Sequence, residues 1–295
     1  MILKLYYHLD PQGNVGDDLN PWLWRLLLPQ YFSGTVVHDP RLREADITDE
    51  ALFVGIGTLL NQHVPALPKK AVFGTGAGYG PTPHLDDSWI VYCVRGPLTA
   101  ARLGLAPETA VTDAAALCAV LDLGPCSVEH AFSFMPHCST AKSGAWQQVC
   151  EDLAINYIDP RWPVERVFRA IRSTGTLITE AMHGAILADT FRVPWVSVST
   201  SPGILEFKWQ DWCRSLGMEH EWVRLPTLWT DGGEGGFLSR SKSYIKHRLA
   251  RRQLQQVSRR ARPTLSNEQR FRDAVGELQL RLERFKTDVE TGRYG

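Results

Sequence analysis

The chain has 295 residues, of which 44% are hydrophobic and 22% charged, a composition typical of a globular protein with room for two domains. Its 32 basic and 32 acidic residues balance, so the overall charge does not indicate a nucleic-acid partner. Six cysteines form no C-x-x-C pair and no apolar run reaches the roughly 18–20 residues of a membrane span, so we expect a cytoplasmic protein without disulfides, a zinc site or a spanning helix.

The first part of the chain alternates apolar, β-rich runs with Gly-rich turns and helical stretches. Strands are predicted at residues 2–9, 51–60, 71–80 and 89–94, and helices at 13–28 and 97–105. Continuous apolar strands that alternate with helices are typical of a parallel sheet covered on both faces. Residues 1–122 are therefore predicted to form a Rossmann-like α/β domain.

The same pattern resumes after a Gly-Pro pause near residue 124. Strands are predicted at 131–137, 155–160, 176–179 and 193–200, and helices at 145–154 and 163–173. Residues 128–230 are therefore predicted to form a second Rossmann-like domain, and we expect the two domains to face each other across a cleft.

Residues 240–295 are predicted to be a helical, basic C-terminal extension. Residues 240–262 hold nine Lys or Arg and no Asp or Glu, whereas residues 1–239 carry a net charge of −9. The basic segment has two interpretations: it docks on an anionic membrane surface, or it packs on the acidic body of the protein.

The end of the chain, residues 266–290, carries a heptad-like apolar stripe. Ser266 and Gln269 have the spacing of a capping box at its start. The stripe predicts either a terminal helix packed on the body or a homo-oligomer contact. Its apolar members are Phe271, Val275, Leu278, Leu282, Phe285 and Val289.

Ligands of open parallel sheets bind beyond the carboxyl ends of the strands, so side chains that directly follow a strand are the candidates for chemistry. Arg95 ends a predicted strand just before a helix; its guanidinium would grip a carboxylate or phosphate, and the alternative is an ordinary ion pair. Gly76 lies in "GTGAGYG", whose backbone N–H groups are a weak phosphate signal.

Polar residues also follow the first strand and the strand at 193–200. Asn14, Asp17 and Asp18 are candidates for binding hydroxyl groups, with turn and capping chemistry as the alternative. Glu206 and Lys208 lie in "GILEFKWQDW", which reads as a loop, and solvated loop charges are the alternative there.

The stretch "LITEAMHGAILADTFRVPW", residues 177–195, brings ionisable groups to a strand-to-helix junction. His183 falls in the first helical turn with Thr179 as the predicted N-cap, and Glu180 lies between them. An imidazole at a helix N-terminus suits an acid or a phosphate ligand near neutral pH. A hydrogen-bonded core histidine is the alternative.

These pieces carry a resemblance. The motifs "GNVGDDLNPWL", "GIGTLL", "FGTGAGYG", "VRGPLTAARLGL", "VTDAA", "FMPH", "LITEAMHGAILADTFRVPW" and "FKWQDW" run in order over about residues 1–215. With them the chain resembles the polysaccharide pyruvyl transferase family, and it looks most similar to the ketal pyruvyltransferases of bacterial exopolysaccharide synthesis, of the xanthan and succinoglycan type.

The resemblance implies a fold similar to glycosyltransferase B enzymes and phosphoenolpyruvate as donor in the cleft. No separate cofactor and no metal-ligating residues are predicted, and the metal requirement stays open. The family's Arg after the VR-type strand matches Arg95, its helix His matches His183, and its later Lys matches Lys208. The "FMPH" motif adds His137 as a substrate-binding residue. Many members carry Arg two positions before the helix His, where this chain has Ala181.

The implied reaction moves pyruvate onto two hydroxyls of a lipid-linked oligosaccharide acceptor, at the inner face of the cytoplasmic membrane. His183 is the predicted general acid or phosphate ligand, Arg95 the carboxylate clamp and Lys208 the phosphate ligand. The base is predicted among the carboxylates Glu206, Glu180 and Asp18.

Two other functions remain open from the sequence. A nucleotide-sugar glycosyltransferase of the same two-domain fold would use Arg and Lys to grip a diphosphate equally well. A glycan-binding protein without catalytic activity would use aromatic loops, since the chain has ten tryptophans.

Overall fold

The computed structural model describes residues 3–38, 50–66, 68–201, 203–228 and 237–294, with side chains left undescribed at 33, 35–38 and 237–243. The predicted domain limits at residues 1, 230 and 295 lie outside these ranges. The chain divides into two compact units: Met1–Leu121 with Leu205–His220 and Ser266–Gly295, and Asp122–Ile204 with Glu221–Leu265.

The predicted boundaries need correction at two segments. Residues 205–220 were expected in the second domain and 266–295 in a separate tail, but both segments belong to the first unit. The reason is packing. The helix Glu206–Ser215 lies against the helix Pro97–Arg102, and the helix Glu268–Glu290 lies against the strand Trp89–Val94.

The first unit is built on a five-stranded parallel sheet in the order β2-β1-β3-β4-β5. Its strands are β1 Leu3–His8, β2 Phe32–His38, β3 Leu52–Val54, β4 Lys70–Thr75 and β5 Trp89–Val94. Its helices are α1 Val15–Leu27, α2 Pro97–Arg102, α7 Glu206–Ser215 and α9 Glu268–Glu290, with 3₁₀ turns at Pro107–Thr109 and Ala114–Val120.

The short strand β3 shows why both faces of this sheet are covered. Successive strand residues point to opposite faces. Leu52 and Val54 join the apolar cluster with Tyr6 and Val72. Phe53 points the other way, where its ring centroid lies 5.0 Å from that of Phe285 in α9.

Helix α9 therefore closes one face of the first sheet. All six members of the predicted stripe are buried, including Phe285 at 0% exposure. The packed alternative is the one observed for this stripe, and a homo-oligomer contact through residues 266–290 stays a prediction. The predicted cap is wrong: Asn267 is the N-cap, and its side chain accepts from the Arg270 N–H.

The second unit repeats the plan with the order β10-β9-β8-β6-β7, again all parallel. In both sheets, therefore, the second strand in the chain lies at one edge and the strand order reverses beside the first. The strands are β6 His130–Met135, β7 Asn156–Tyr157, β8 Thr174–Thr179, β9 Trp195–Ser199 and β10 Val223–Arg224. The helices are α3 Cys138–Ala141, α4 Ala145–Leu153, α5 Val164–Arg172, α6 Met182–Thr190 and α8 Phe237–Arg260.

The α/β class with parallel sheets is confirmed, and most predicted elements recur within a few residues. Two edge strands, β2 and β10, were missed, and the segment read as a loop around Lys208 is helix α7. The prediction that the two domains face a cleft stays a prediction. Within the described ranges, no helix combines the length and the apolarity that crossing a membrane requires.

The burial of α9 predicts a large loss on truncation of its central aromatic. Phe285→Ala removes a ring that contacts Phe53 and Tyr92, and we expect it to lower the free energy of unfolding by about 3–5 kcal/mol. Chemical denaturation followed by tryptophan fluorescence measures this. Leu280→Ala is the matched control, since Leu280 in the same helix is 67% exposed and should change stability little; equal effects would contradict the packing.

Candidate functional site

The carboxyl ends of β1, β3 and β4 lie side by side in the first sheet. The strand order reverses between β1 and β3, and such a switch point is where open parallel sheets form ligand crevices. The segments that leave these three strands, at residues 9–14, 55–59 and 76–79, contain or adjoin most of the site residues predicted for the first unit.

Asn14 organises the first of these segments. Its Oδ1 accepts from the Gly16 N–H at 3.2 Å, which caps α1, and its Nδ2 donates to Asp17 Oδ2 at 2.7 Å. The Asn14 N–H donates to Asp18 Oδ2 at 3.2 Å. The capping alternative is thus observed for Asn14, and the same contacts hold Asp17 and Asp18 in the first turn of the helix.

Asp17 is the carboxylate with the most unusual environment in this group. Its pKa is raised to about 7: burial is the largest cause and Asp18 acts in the same direction, while His8, the Asn14 hydrogen bond and Lys208 act in the opposite direction. Burial also raises the pKa of Asp18. A carboxyl that titrates near neutral pH can both donate and accept a proton, which is what acid–base chemistry requires.

Lys208 reaches this edge from α7. Its Nζ donates to Tyr79 Oη at 2.7 Å and lies 4.7 Å from the centroid of the same ring. The Tyr79 side chain is 52% exposed. The Lys208 ammonium group, with the Tyr79 ring against it, thus lies near Asp17. Glu206, at the start of α7, is exposed and accepts from Gln210 Nε2 at 2.9 Å.

Arg95 lies beneath this edge rather than on it. Its side chain is 0% exposed and its Nε donates to Asp211 Oδ2 at 3.2 Å. The other guanidinium nitrogens donate to Gly57 O at 3.3 Å, Thr58 Oγ1 at 3.0 Å and Ala77 O at 3.0 Å. The predicted carboxylate clamp is therefore corrected: Arg95 is a positioning residue that ties the segments after β3 and β4 to helix α7.

Gly76 takes part in the same arrangement. Its N–H donates to Gly57 O at 3.0 Å, so this group is already used inside the protein rather than offered to a phosphate. A Cβ at this position would lie 2.3 Å from the Arg95 guanidinium carbon. The predicted phosphate cradle at Gly76 is corrected: the glycine is required because the arginine passes against its backbone.

Gly76→Ala should therefore destabilise the protein by about 1–3 kcal/mol, since the added methyl forces the buried ion pair apart. Thermal and chemical unfolding measure the loss. Gly276→Ala is the matched control, because no atom lies within 4 Å of its Cβ position in α9 and alanine favours a helix. A Gly76→Ala variant as stable as the control would overturn the role given to Arg95.

The second unit has a buried carboxylate where the first has a buried guanidinium. Glu180, directly after β8, is 0% exposed, and its Oε2 accepts from the His137 N–H at 3.0 Å. Its Oε1 accepts from the N–H of Thr200 at 2.7 Å and from the hydroxyl at 2.6 Å. Glu180 thus joins the segments after β6, β8 and β9, which corrects its predicted role as a base or substrate ligand.

His137 lies at the switch point of the second sheet, after β6. Its Nδ1 accepts from the Ser139 N–H at 3.3 Å and lies 2.8 Å from Ser139 Oγ, so it caps the short helix α3. Because Nδ1 accepts a hydrogen bond, the neutral ring carries its proton on Nε2.

His183 lies across the same switch point, at the second residue of α6, and its side chain is partly buried. The predicted cap Thr179 is wrong: Ala181 is the N-cap and has no side-chain cap bond, while Thr179 Oγ1 accepts from the Ala181 N–H at 3.0 Å. Gly184 brings this helix close to the sheet, since a Cβ there would lie 2.6 Å from Thr179 Oγ1.

Comparison with known proteins finds a relative that aligns with most of this chain. Over 228 residues the chain is 42% identical to succinoglycan biosynthesis protein ExoV of Rhizobium meliloti (strain 1021). The aligned segment covers 76% of this chain and 68% of that protein. The chain therefore belongs to the polysaccharide pyruvyl transferase family. No family model matches the chain.

One solved structure is similar in outline only. The dodecameric iron-containing heptosyltransferase TibC, in complex with ADP-D-β-D-heptose, aligns over 88% of this chain and 78% of its own, with 12% identity and a TM-score of 0.31. At that score the likeness carries no argument about fold or ligand.

For a polysaccharide pyruvyl transferase family member, the structure sorts the predicted residues into two groups. Arg95, Gly76 and Glu180 hold the strand ends in place, whereas Asp17, Lys208 and His183 lie close to the switch-point edges of their sheets. Among the described residues, no group of three His, Cys, Asp or Glu side chains is arranged to hold a metal ion.

Sequence reasoning missed the special position of Asp17 and the part played by Asp211. A signal for Asp17 was present: Asn20 and Trp24 follow it at three and seven residues, both are fully buried, and this spacing places all three on one helix face. No comparable signal existed for Asp211, because its partner Arg95 lies 116 residues away in the chain.

The raised pKa of Asp17 predicts a pH dependence of stability. Between its unfolded value of 3.8 and about 7 the native state binds the extra proton, so the free energy of unfolding falls as pH rises through this range, by up to about 1.4 kcal/mol per pKa unit. Asp17→Asn removes this fall, and the stability of the variant relative to wild type should increase from pH 4 to pH 7.

Chemical denaturation at several pH values measures the difference. Asp87→Asn, on an exposed loop of the same unit, is the matched control and should give the same difference at every pH. If the stability difference between Asp17→Asn and wild type did not change with pH, the proton assigned to Asp17 in the native state would be contradicted.

Proposed function

We propose that the protein is a ketal pyruvyltransferase, which moves pyruvate from phosphoenolpyruvate onto two hydroxyls of a sugar in a lipid-linked exopolysaccharide repeat and releases phosphate. Membership of the polysaccharide pyruvyl transferase family carries this proposal. The relative's printed role in succinoglycan biosynthesis supports an exopolysaccharide acceptor.

The reaction sets clear chemical requirements. The methylene carbon of phosphoenolpyruvate gains a proton, and the carbon that carries the phosphate oxygen is attacked by one sugar hydroxyl. The C–O bond to phosphate then breaks, and a second hydroxyl closes the ketal ring. Two hydroxyl protons are lost, one is gained at carbon and one leaves with phosphate, so the step needs a proton donor, a proton acceptor and cations for the phosphate.

The first unit offers a proton-transfer group in Asp17. A pKa of about 7 allows it to accept a hydroxyl proton or return one within a cycle, and the Asn14 contact fixes its orientation. Asp17 therefore takes the base role that was first predicted for Glu206, Glu180 or Asp18. Lys208 keeps its predicted role as a phosphate ligand, and the exposed ring of Tyr79 suits the apolar face of a sugar.

The second unit offers His183 at the start of α6, a helix whose N-cap residue makes no side-chain cap bond. His183 keeps its predicted role as the general acid or phosphate ligand, because the α6 N-terminus has no side-chain cap and favours an anion. His137 keeps its predicted role as a substrate-binding residue, since it follows β6 at the switch point of the same sheet. Arg95 and Glu180 act through the segments that they position.

The finer description of the fold is part of this proposal. Each unit has a parallel sheet in which the second strand lies beside the first at one edge, an order shared with doubly wound nucleotide-binding folds. We therefore propose that both units are Rossmann-like domains of a glycosyltransferase B-like enzyme.

Incubation of the full chain with phosphoenolpyruvate and a lipid-linked oligosaccharide tests the function. Mass spectrometry should show an oligosaccharide that gains the mass of pyruvate less one water, with one inorganic phosphate released for each ketal. UDP-sugars form the second arm of the experiment. A product that gains a sugar residue, with phosphoenolpyruvate inert, would replace this proposal by the glycosyltransferase alternative.

Substitutions test the assigned roles. His183→Ala and Asp17→Asn should each lower kcat/KM by about 100-fold or more, because general acid–base groups contribute on this scale. His84→Ala, on an exposed loop, is the control and should keep wild-type activity. Near-normal transfer by His183→Ala with a folded protein would remove that residue from the mechanism.

A further inference from the structure

Helix α8 combines a covered apolar side with an uncovered basic side. It runs over Phe237–Arg260 and belongs to the second unit. Ala250 and Leu254 are 0% exposed and Val257 is 7% exposed, and they pack in the apolar cluster that includes Trp146 and Cys150 of α4. The helix is thus anchored to the second unit by a stripe of small and aliphatic side chains.

Arginines occupy the opposite side. With about 100° between successive residues of a helix, Arg248, Arg252 and Arg259 fall within one sector, which points away from Ala250 and Leu254. All the arginines between 248 and 262 are exposed, and no acidic residue occurs between 240 and 262. The exposed arginines of the helix and its end are Arg248, Arg251, Arg252, Arg259, Arg260 and Arg262.

Apolar side chains accompany these arginines at the start of the described part of α8. Tyr244 and Ile245 are each 64% exposed, and Leu249 is 44% exposed. Ile245 lies beside Arg248 and Arg252 on the helix, Leu249 borders this sector, and the Arg248 guanidinium lies 5.8 Å from the centroid of the Tyr244 ring. A solvent-facing surface has no need of this combination.

The alternative of docking on the acidic body does not fit these side chains. Contact between α8 and the body runs through the apolar stripe, with His247 Nδ1 at 3.9 Å from Asp152 Oδ2 beside it. Arginines paired with acidic residues of the body would be covered, and these are exposed. Their charge is therefore available to an external anion.

We propose that this side of α8 docks the protein on the surface of an anionic phospholipid bilayer, with the arginines at the lipid phosphates and Ile245, Leu249 and Tyr244 entering the headgroup layer. Basic residues beside exposed aliphatic and aromatic ones are what an interfacial helix uses. Residues 1–239 carry a net charge of −9 and are repelled by the same surface, so the helix also sets the orientation.

A nucleic acid is the competing polyanion. It would engage the arginines through phosphate contacts, but a duplex backbone makes no use of Ile245 and Leu249. The apolar members of the surface therefore separate the two partners experimentally. The proposal does not depend on pyruvyl transfer, and its test uses no substrate.

Co-sedimentation with sucrose-loaded vesicles tests the proposal on the full chain. Vesicles of phosphatidylcholine with phosphatidylglycerol should bind the protein, and pure phosphatidylcholine vesicles should not. Arg252→Gln with Arg259→Gln should weaken binding by about 25-fold, since each basic residue near such a surface contributes about fivefold. Ile245→Ser with Leu249→Ser should weaken it as well.

Arg272→Gln with Arg284→Gln is the matched control, because it removes two exposed arginines from α9 and should leave binding unchanged. Far-UV circular dichroism establishes that all variants stay folded. Equal binding to both vesicle types, or equal losses in the two arginine pairs, would overturn the proposal. So would tighter binding to RNA or DNA than to anionic vesicles, with no effect of the Ile245 and Leu249 changes.

Discussion

The carboxyl edge of the first sheet depends on the buried ion pair between Arg95 and Asp211. The two side chains are 0% exposed, and the guanidinium also reaches the backbone of Gly57 and Ala77. Removing one member of such a pair leaves an uncompensated charge inside the protein, which costs about 3–5 kcal/mol. The pair therefore requires the segments after β3 and β4 and the helix α7 to adopt one mutual arrangement. That arrangement brings Lys208, three residues before Asp211, to the edge where Asp17 lies.

In the second unit a buried negative charge, Glu180, fixes the segments that follow the strands. Glu180 accepts hydrogen bonds from His137 and Thr200, so the segments after three adjacent strands meet at one carboxylate. A carboxylate suits this place because the free groups at the ends of these segments are N–H donors and a hydroxyl, whereas the segments around Arg95 present carbonyl oxygens. In both units a buried charge defines the loop conformations at the switch point.

Residues that hold the framework and residues that transfer protons have different requirements. A group whose hydrogen bonds are all made inside the framework keeps its place and cannot follow a substrate through a reaction. Asp17 is different, because burial has moved its pKa to about 7 without committing it to an ion pair of the Arg95 kind. In the proposed reaction the proton-transfer group is thus separate from the residues that hold the strand ends, and the latter are required for a defined geometry.

The residues alone predicted much of this protein. Apolar runs specified eight of the ten strands in the described ranges near their observed positions, Pro97 marked a helix start, and the family motifs lie at the ends of several of these strands. The short or glycine-interrupted edge strands β10 and β2 gave too weak a pattern to be read. Local patterns succeed here because strand and helix formation depends on the spacing of apolar residues, which the chain displays directly.

Only the tertiary structure decided which charges are buried. Arg95 and Glu180 follow strands just as His183 does, and nothing local distinguishes a residue that binds a ligand from one that holds the framework. The distinction rests on partners far away in the chain, such as Asp211 and Thr200, and on the return of α7 and α9 to the first unit. Burial and long-range hydrogen bonds are properties of the packed chain, so the role of each ionisable group became apparent only once the sheets and helices were in place.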